Sequence, residues 1–208
     1  MYQIGLGVPQ NYAAALSWFR KAADQGDAAA QFNIGRMYSL GHGVPQNYAE
    51  ALKWYRLAAD QGYADAQLNL GAMYANGDGL PQNYAQAARW FRAAAEQGNA
   101  LAQFNLGKMY GSGRGVPQNY VQAAKWVRAA AEQGNAEAQG LLGTLYGSGQ
   151  GVPKDYVSAY MWLNLAAAQG EKEAAKLRDM AATTITPAQI AEAQKLAREW
   201  KPTKQPLR

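Results

Sequence analysis

The chain of 208 residues reads as an all-α protein, a solenoid of 36-residue helix–turn–helix repeats with a C-terminal capping helix. Three observations predict this. An eight-residue motif returns at constant spacing: GLGVPQNY at 5–12, GHGVPQNY at 41–48, GDGLPQNY at 77–84, GRGVPQNY at 113–120 and GQGVPKDY at 149–156. Between the copies, apolar residues recur with a period near 3.6, which marks amphipathic helices. The helices delimited in this way start on strong capping residues and stop on glycine. One such helix pair cannot bury both of its apolar faces, so neighbouring pairs must stack.

Each unit can be read in chain order. After Gly-x-Gly come Val or Leu and a proline (Pro9, Pro45, Pro81, Pro117, Pro153), and two residues later Asn11, Asn47, Asn83, Asn119 or Asp155. The side-chain oxygen of such a residue accepts an N–H of the first helical turn. The helix that follows, helix B, carries for example Tyr48, Ala51, Leu52, Tyr55, Ala58 and Ala59 on its apolar face and ends at Gln-Gly (Gly26, Gly62, Gly98, Gly134, Gly170). Glycine suits the left-handed residue beyond a helix end. Helix A starts directly after it, with the inward stripe Ala30/Ile34/Tyr38, Ala66/Leu70/Tyr74, Ala102/Leu106/Tyr110 and Ala138/Leu142/Tyr146. A glycine recurs in the middle of helix A (Gly35, Gly71, Gly107, Gly143). It costs about 1 kcal/mol relative to Ala, so a second helix is expected to press there too closely for a Cβ. Trp18, Trp54, Trp90, Trp126 and Trp162 form a ladder expected to cover the repeat interfaces.

The two ends depart from the pattern. Met1-Tyr2 aligns with Met37-Tyr38, the last turn of a helix A that is otherwise missing. Helix B of the first unit, with Tyr12 and Phe19, is therefore expected to be under-covered, as in a longer protein or an edge that pairs with itself. Near the other end, Asp179 stands where the register places a glycine. A last helix opens with Thr186 as N-cap, Pro187 at the first helical position and Gln189 completing a capping box. Its face of Ile190, Ala193, Leu196, Ala197 and Trp200 is expected to close the array. The resulting division is five repeat units over 1–170, capping helices over 171–200 and a disordered basic tail over 201–208.

Composition excludes several function classes. There is no cysteine, hence no disulfide, thiol catalysis or thiolate zinc site. No apolar run approaches the roughly 18–20 residues of a membrane span. No charged-then-apolar leader opens the chain, so the default compartment is the cytoplasm, and the periplasm or exterior if the chain is a fragment. The net charge of +5 is not a nucleic-acid footprint: residues 1–170 carry 12 basic against 10 acidic side chains, residues 171–208 carry 8 against 5, and the signs are mixed throughout. The single histidine, His42, sits between two loop glycines where the other copies have Leu6, Asp78, Arg114 and Gln150. A ligand position would not accept all five, so His42 reads as an exposed loop residue and the motif as punctuation rather than a phosphate cradle. No nucleophile, zinc-protease or phosphate-loop motif is present, and one histidine cannot build a triad. Neither an enzyme, nor a cofactor, nor a metal site is expected.

The unit A-x-A-Q-x-x-L-G-x-x-Y-x-x-G-x-G-V-P-x-N/D-Y-x-x-A-x-x-W-x-x-x-A-A-x-Q-G closely resembles the Sel-one-like repeat family, which is related to the tetratricopeptide repeats. The 36-residue period and the Gly-x-Gly-Val loop favour it over the 34-residue tetratricopeptide pattern. The resemblance covers residues 1–170. It implies an α/α superhelical array of antiparallel helix pairs that acts as an adaptor for other proteins, with helix A lining the concave groove. Some cysteine-rich members have been described as penicillin-binding, but this chain lacks both their cysteines and a serine–lysine motif.

A stripe on helix A at i, i+4, i+7, i+11 avoids the apolar face: Ala29/Asn33/Arg36/Leu40, Asp65/Asn69/Ala72/Asn76, Leu101/Asn105/Lys108/Ser112 and Glu137/Leu141/Thr144/Ser148. Asparagine offers a donor and an acceptor, so Asn33, Asn69 and Asn105 could grip an extended peptide backbone while Arg36 and Lys108 select a carboxylate. The competing reading has these asparagines bond a neighbouring helix and serve packing alone. Gln31, Gln67, Gln103 and Gln139, constant through the copies, are expected to hydrogen-bond neighbouring chain. The function expected is protein–protein interaction without catalysis. The alternatives are a cell-wall glycan or small-molecule binding module, which groove aromatics would favour with only Phe32 and Phe104 near, and a structural spacer in a longer protein.

Overall fold

A computed structural model describes residues 11–203. Residues 5–10 of the first loop motif with Pro9, the Met1–Tyr2 alignment and residues 204–208 of the tail lie outside the described residues. The chain forms two compact units, Met1–Gln97 and Gly98–Arg208. Eleven α-helices and no strand occur among the described residues.

The first unit holds α1 (Tyr12–Ala23), α2 (Ala28–Leu40), α3 (Tyr48–Asp60), α4 (Ala64–Asn76) and α5 (Tyr84–Glu96). The pairs α2/α3 and α4/α5 pack tightly, with α1 on α2 and α3 on α4. The helices begin where the capping residues stand. Asn47 Oδ1 accepts from Glu50 N at 3.0 Å and Asn83 Oδ1 from Gln86 N at 3.0 Å, each such cap stabilising by about 1 kcal/mol. Helix A ends on a left-handed glycine (Gly41, φ 72°; Gly77, φ 84°), and the loop returns through Asn47 N–H to Tyr38 O at 2.9 Å. The second loop glycine is also obligatory: at Gly79 a Cβ would lie 2.7 Å from Tyr48 Cβ, at the start of the preceding helix B, so successive loops and helix starts nest directly.

The expected close approach at mid-helix glycine is present. A Cβ on Gly35 would stand 2.7 Å from the Tyr55 ring, and one on Gly71 2.7 Å from the Phe91 ring. Ile34 and Met37 of α2 are buried with Leu16 of α1, and Trp54 packs against that cluster. Leu70 and Met73 of α4 are buried with Phe32 and Tyr55, and Trp90 packs against them. The tryptophans thus cover repeat interfaces, whereas Trp18 is 60% exposed. His42 departs from its expected exposure: its ring stacks on Tyr12 at 4.9 Å and is half-buried, which also covers part of the first helix.

The second unit holds α6 (Ala100–Ser112), α7 (Tyr120–Glu132), α8 (Ala136–Ser148), α9 (Tyr156–Ala168), α10 (Lys172–Ala182) and α11 (Pro187–Glu199). The pairs α6/α7 and α8/α9 repeat the geometry, with Val127 2.6 Å from a Cβ on Gly107 and Leu163 2.6 Å from a Cβ on Gly143. The array then ends differently. Instead of pairing with α10, α11 packs on α9, so no helix presses on α10 as α9 presses on α8. The register positions of Leu142 and Gly143 accordingly become Arg178 and Asp179, ion-paired at 2.8 Å with Asp179 69% exposed. No close approach means no need for glycine.

Helix α11 carries the expected capping box between Thr186 and Gln189. Ala193 and Ala197 are buried, and Trp200 meets Trp162 edge-to-face at 6.0 Å. Leu196 corrects the expected face: it is 41% exposed, because the contact with α9 runs along the alanines. The tail expected to be disordered from 201 is instead held as far as Thr203, whose N–H and Oγ1 both donate to Glu132 O, at 2.8 and 2.9 Å.

Candidate interaction surface

The helix A stripe is exposed or half-exposed in both units. In the first, Asn33 Nδ2 donates to Ala29 O at 2.8 Å and Asn69 Nδ2 to Asp65 O at 2.7 Å. Each amide is thus anchored on the preceding turn of its own helix, not on a neighbouring one. One amide N–H and the Oδ1 of both side chains remain without a partner among the described residues. Arg36 is exposed, with its guanidinium 5.8 Å from the centre of the Phe32 ring. In the second unit Asn105 is half-buried, and the exposed Lys108 places Nζ 5.1 Å from the Phe104 ring. Phe32 and Phe104 are themselves buried, 8% and 5% exposed. They anchor the cations and offer no open stacking platform.

Behind the stripe runs a second polar row, whose helix A members Gln31, Gln67, Gln103 and Gln139 are buried. Gln67 Nε2 donates to Ala59 O at 3.1 Å and Gln139 Nε2 to Ala131 O at 3.2 Å, the last turns of the preceding helices B. Their Oε1 atoms accept from the glutamine 30 residues later: Gln97 to Gln67, Gln133 to Gln103 and Gln169 to Gln139, each at 2.8 Å. The constant glutamines therefore bond neighbouring chain, as expected, and knit three successive helices through one side chain. A buried amide left unpaired costs roughly 1–3 kcal/mol, which explains why the pair recurs as a pair.

One row escaped the sequence reading. Arg20, Arg56 and Arg128 donate to the hydroxyls of Tyr38, Tyr74 and Tyr146 at 3.1, 2.6 and 2.7 Å. The tyrosines, placed on the inward stripe by periodicity, keep their rings in the core and their hydroxyls on an arginine. The signal was available, since arginine recurs every 36 residues at 20, 56, 92 and 128. Burial pushes the Tyr55 hydroxyl above its ordinary range, against the opposing effects of its hydrogen bond to Ser39 and the nearby charge of Arg36. Among the described residues no cluster of His, Asp or Glu could hold a metal ion, and no helix is long and apolar enough to cross a membrane.

Stacked helix pairs with internal polar rows and a solvent-facing helix A stripe define an α/α repeat protein of the solenoid class. The chain belongs to the Sel1 repeat family, which matches it at residues 1–27, 28–63, 64–99, 100–135 and 136–171. It is similar to a Sel1 repeat protein from Oxalobacter formigenes of known structure, with 33% identity and a TM-score of 0.80, over 97% of this chain and 84% of that one. It is also similar to a protective antigen of uropathogenic Escherichia coli with an SLR fold, at 32% identity and a TM-score of 0.63. That match covers 96% of this chain but 51% of the antigen, so this chain spans about half of it. A cysteine rich protein B of Helicobacter pylori shares the fold at 22% identity and a TM-score of 0.51, over 64% of this chain and 96% of that one. No curated protein matches. Sel1 repeat proteins generally serve as scaffolds for protein interactions, and the fold is typically non-catalytic.

Proposed function

We propose that the protein is a non-catalytic adaptor that holds extended segments of partner protein on the helix A stripe of each unit. Asn33, Arg36 and Asn69 contribute in the first unit, and Asn105 and Lys108 in the second. The observation that carries this reading is the state of the asparagine amides: Asn33 and Asn69 are oriented by their own helices, yet retain a donor and an acceptor for a peptide group. Fixing the side chain beforehand lowers the entropy lost on binding. Arg36 and Lys108, braced on buried rings, add a charge-assisted contact for a carboxylate on the bound segment. A glycan or small-ligand platform would need open aromatic faces, and Phe32 and Phe104 are buried.

The test compares wild type with the triple variant Asn33→Ala/Asn69→Ala/Asn105→Ala. Peptides selected from a displayed random library on the wild-type protein are titrated against both, with thermal melts alongside. The expected outcome is a loss of at least about tenfold in affinity, equivalent to roughly 1.4 kcal/mol, with an unchanged melt. Unchanged affinity, or a collapsed melt, removes the asparagines from the site.

A further inference from the structure

The stripe changes character toward the end of the second unit, and the 36-residue register carries the change into α10. The position of Asn33, Asn69 and Asn105 is taken by Leu141 on α8 and Leu177 on α10. That of Arg36 and Lys108 is taken by Thr144 and then Met180, which is 66% exposed. A second change accompanies it. The residue after the constant glutamine is Phe32, Leu68 or Phe104 in the earlier copies but Gly140 in α8. A Cβ there would meet only Ala166 and Ala174, each at 3.7 Å, so no close approach demands this glycine. Its effect is to leave out a large side chain. A depression of about 340 Å³ opens at that place, floored by Phe104, Leu141, Ala174 and Leu177. That volume lies at the small end of the range for ligand pockets and suits one or two inserted side chains.

The rim is acidic on one side. Glu137 and Glu171 border the depression and make no ion pair among the described residues, whereas Glu173, also on the rim, is paired with Lys176 at 3.0 Å. Lys108 borders it as well, and its ammonium lies against the Phe104 ring.

We propose that this depression is an anchor site for a partner segment bearing a leucine or phenylalanine flanked by lysine or arginine, the apolar side chain occupying the space vacated at Gly140 and the cations facing Glu137 and Glu171. The proposal rests on the adaptor reading and gives its partner a chemistry. A buried apolar anchor supplies most of the binding energy in such contacts, and the rim charges select among sequences.

The probe is the acetylated, amidated hexapeptide Gly-Lys-Leu-Phe-Lys-Gly. Its controls replace both lysines by glutamate or both central residues by alanine. Binding is read from amide chemical shifts of the intact protein. Shifts are expected at Gly140, Leu141, Ala174 and Leu177, with both controls at least about tenfold weaker. Gly140→Phe, which restores the side chain of the earlier copies, should abolish binding without lowering the melting temperature, and Glu137→Lys/Glu171→Lys should weaken the basic peptide alone. The proposal is overturned if Gly140→Phe binds like wild type, if the acidic peptide binds equally well, or if the shifts fall elsewhere. It is overturned too if the same amides shift with protein concentration before peptide is added, since a second copy then fills the depression. Library-selected peptides that lose affinity in the asparagine variant but ignore Gly140→Phe would keep the adaptor and remove the anchor.

Discussion

Asp155 caps α9 where the four earlier helices B carry asparagine. Burial alone would raise its carboxyl, but the Ser158 hydroxyl and the N–H groups of Ser158 and Val157 outweigh it and hold the group below its ordinary value. A carboxyl depressed in the folded state stabilises above its unfolded pKa, near 3.9, and loses that contribution as pH falls through the folded value. Asp155→Asn keeps the acceptor without the titration. It should fall slightly below wild type at neutral pH, where the Ser158 hydroxyl loses its carboxylate acceptor, and show a shallower loss of stability below about pH 4, measured by urea unfolding across pH. Asp155→Ala should lose about 1 kcal/mol at neutral pH. The glycines of α6 offer a paired contrast at the same scale. A Cβ on Gly107 would fall 2.6 Å from Val127 Cγ2 and 3.1 Å from its backbone N, whereas one on Gly111 would sit 3.8 Å from Ala123 Cβ. Gly107→Ala should destabilise by about 1–3 kcal/mol through overpacking. Gly111→Ala should stabilise by up to about 1 kcal/mol through helix propensity, and urea midpoints separate the two.

Between elements, the glutamine row joins each helix A to the helix B before it and the helix B after it. Gln139, wholly buried, serves α7 through Ala131 O and α9 through Gln169. Gln139→Ala removes both hydrogen bonds at a wholly buried position, while Ala131 O keeps the bond from Gly134 N–H and the exposed Gln169 turns to water, so it should cost about 1–3 kcal/mol, two net hydrogen bonds at roughly 0.5–1.5 kcal/mol each. Gln139→Leu, similar in size, should recover packing but not the hydrogen bonds, so both variants should have urea midpoints well below wild type. Helix α11 shows the limit of reading an element from its own pattern. Its capping box and alanines were legible, because caps and faces are local. Its docking on α9 rather than α10 was not, since apolar periodicity says which face is buried and not against what.

At the scale of the molecule, contacts in each unit run between helices near in sequence, so stability is expected to be a sum of pair and nearest-neighbour contributions rather than one global transition. Gly143→Ala, which forces a Cβ 2.6 Å from Leu163 Cγ, should raise amide exchange in α8 and α9 while leaving α2 and α3 unchanged. Hydrogen exchange read by mass spectrometry checks this, and uniform loss of protection would indicate all-or-none unfolding instead. The same modularity lets one surface stripe change chemistry along the chain without disturbing the scaffold, since its positions are exposed or half-exposed.

The 36-residue register alone determined the helices, their caps, the glycines under tight contact and the candidate stripe of Asn33, Asn69 and Asn105, because each of these recurs at the same place in successive units. Only the tertiary structure decided where the asparagine amides spend their hydrogen bonds, that the tyrosine hydroxyls rest on arginines, that His42 lies on Tyr12, and that α11 abandons α10. It also turned Gly140 from a gap in a pattern into a depression, since an absent side chain becomes a site only where three helices leave its space unfilled. Periodicity encodes which way a residue faces, whereas what it meets depends on chain brought together from dozens of residues away.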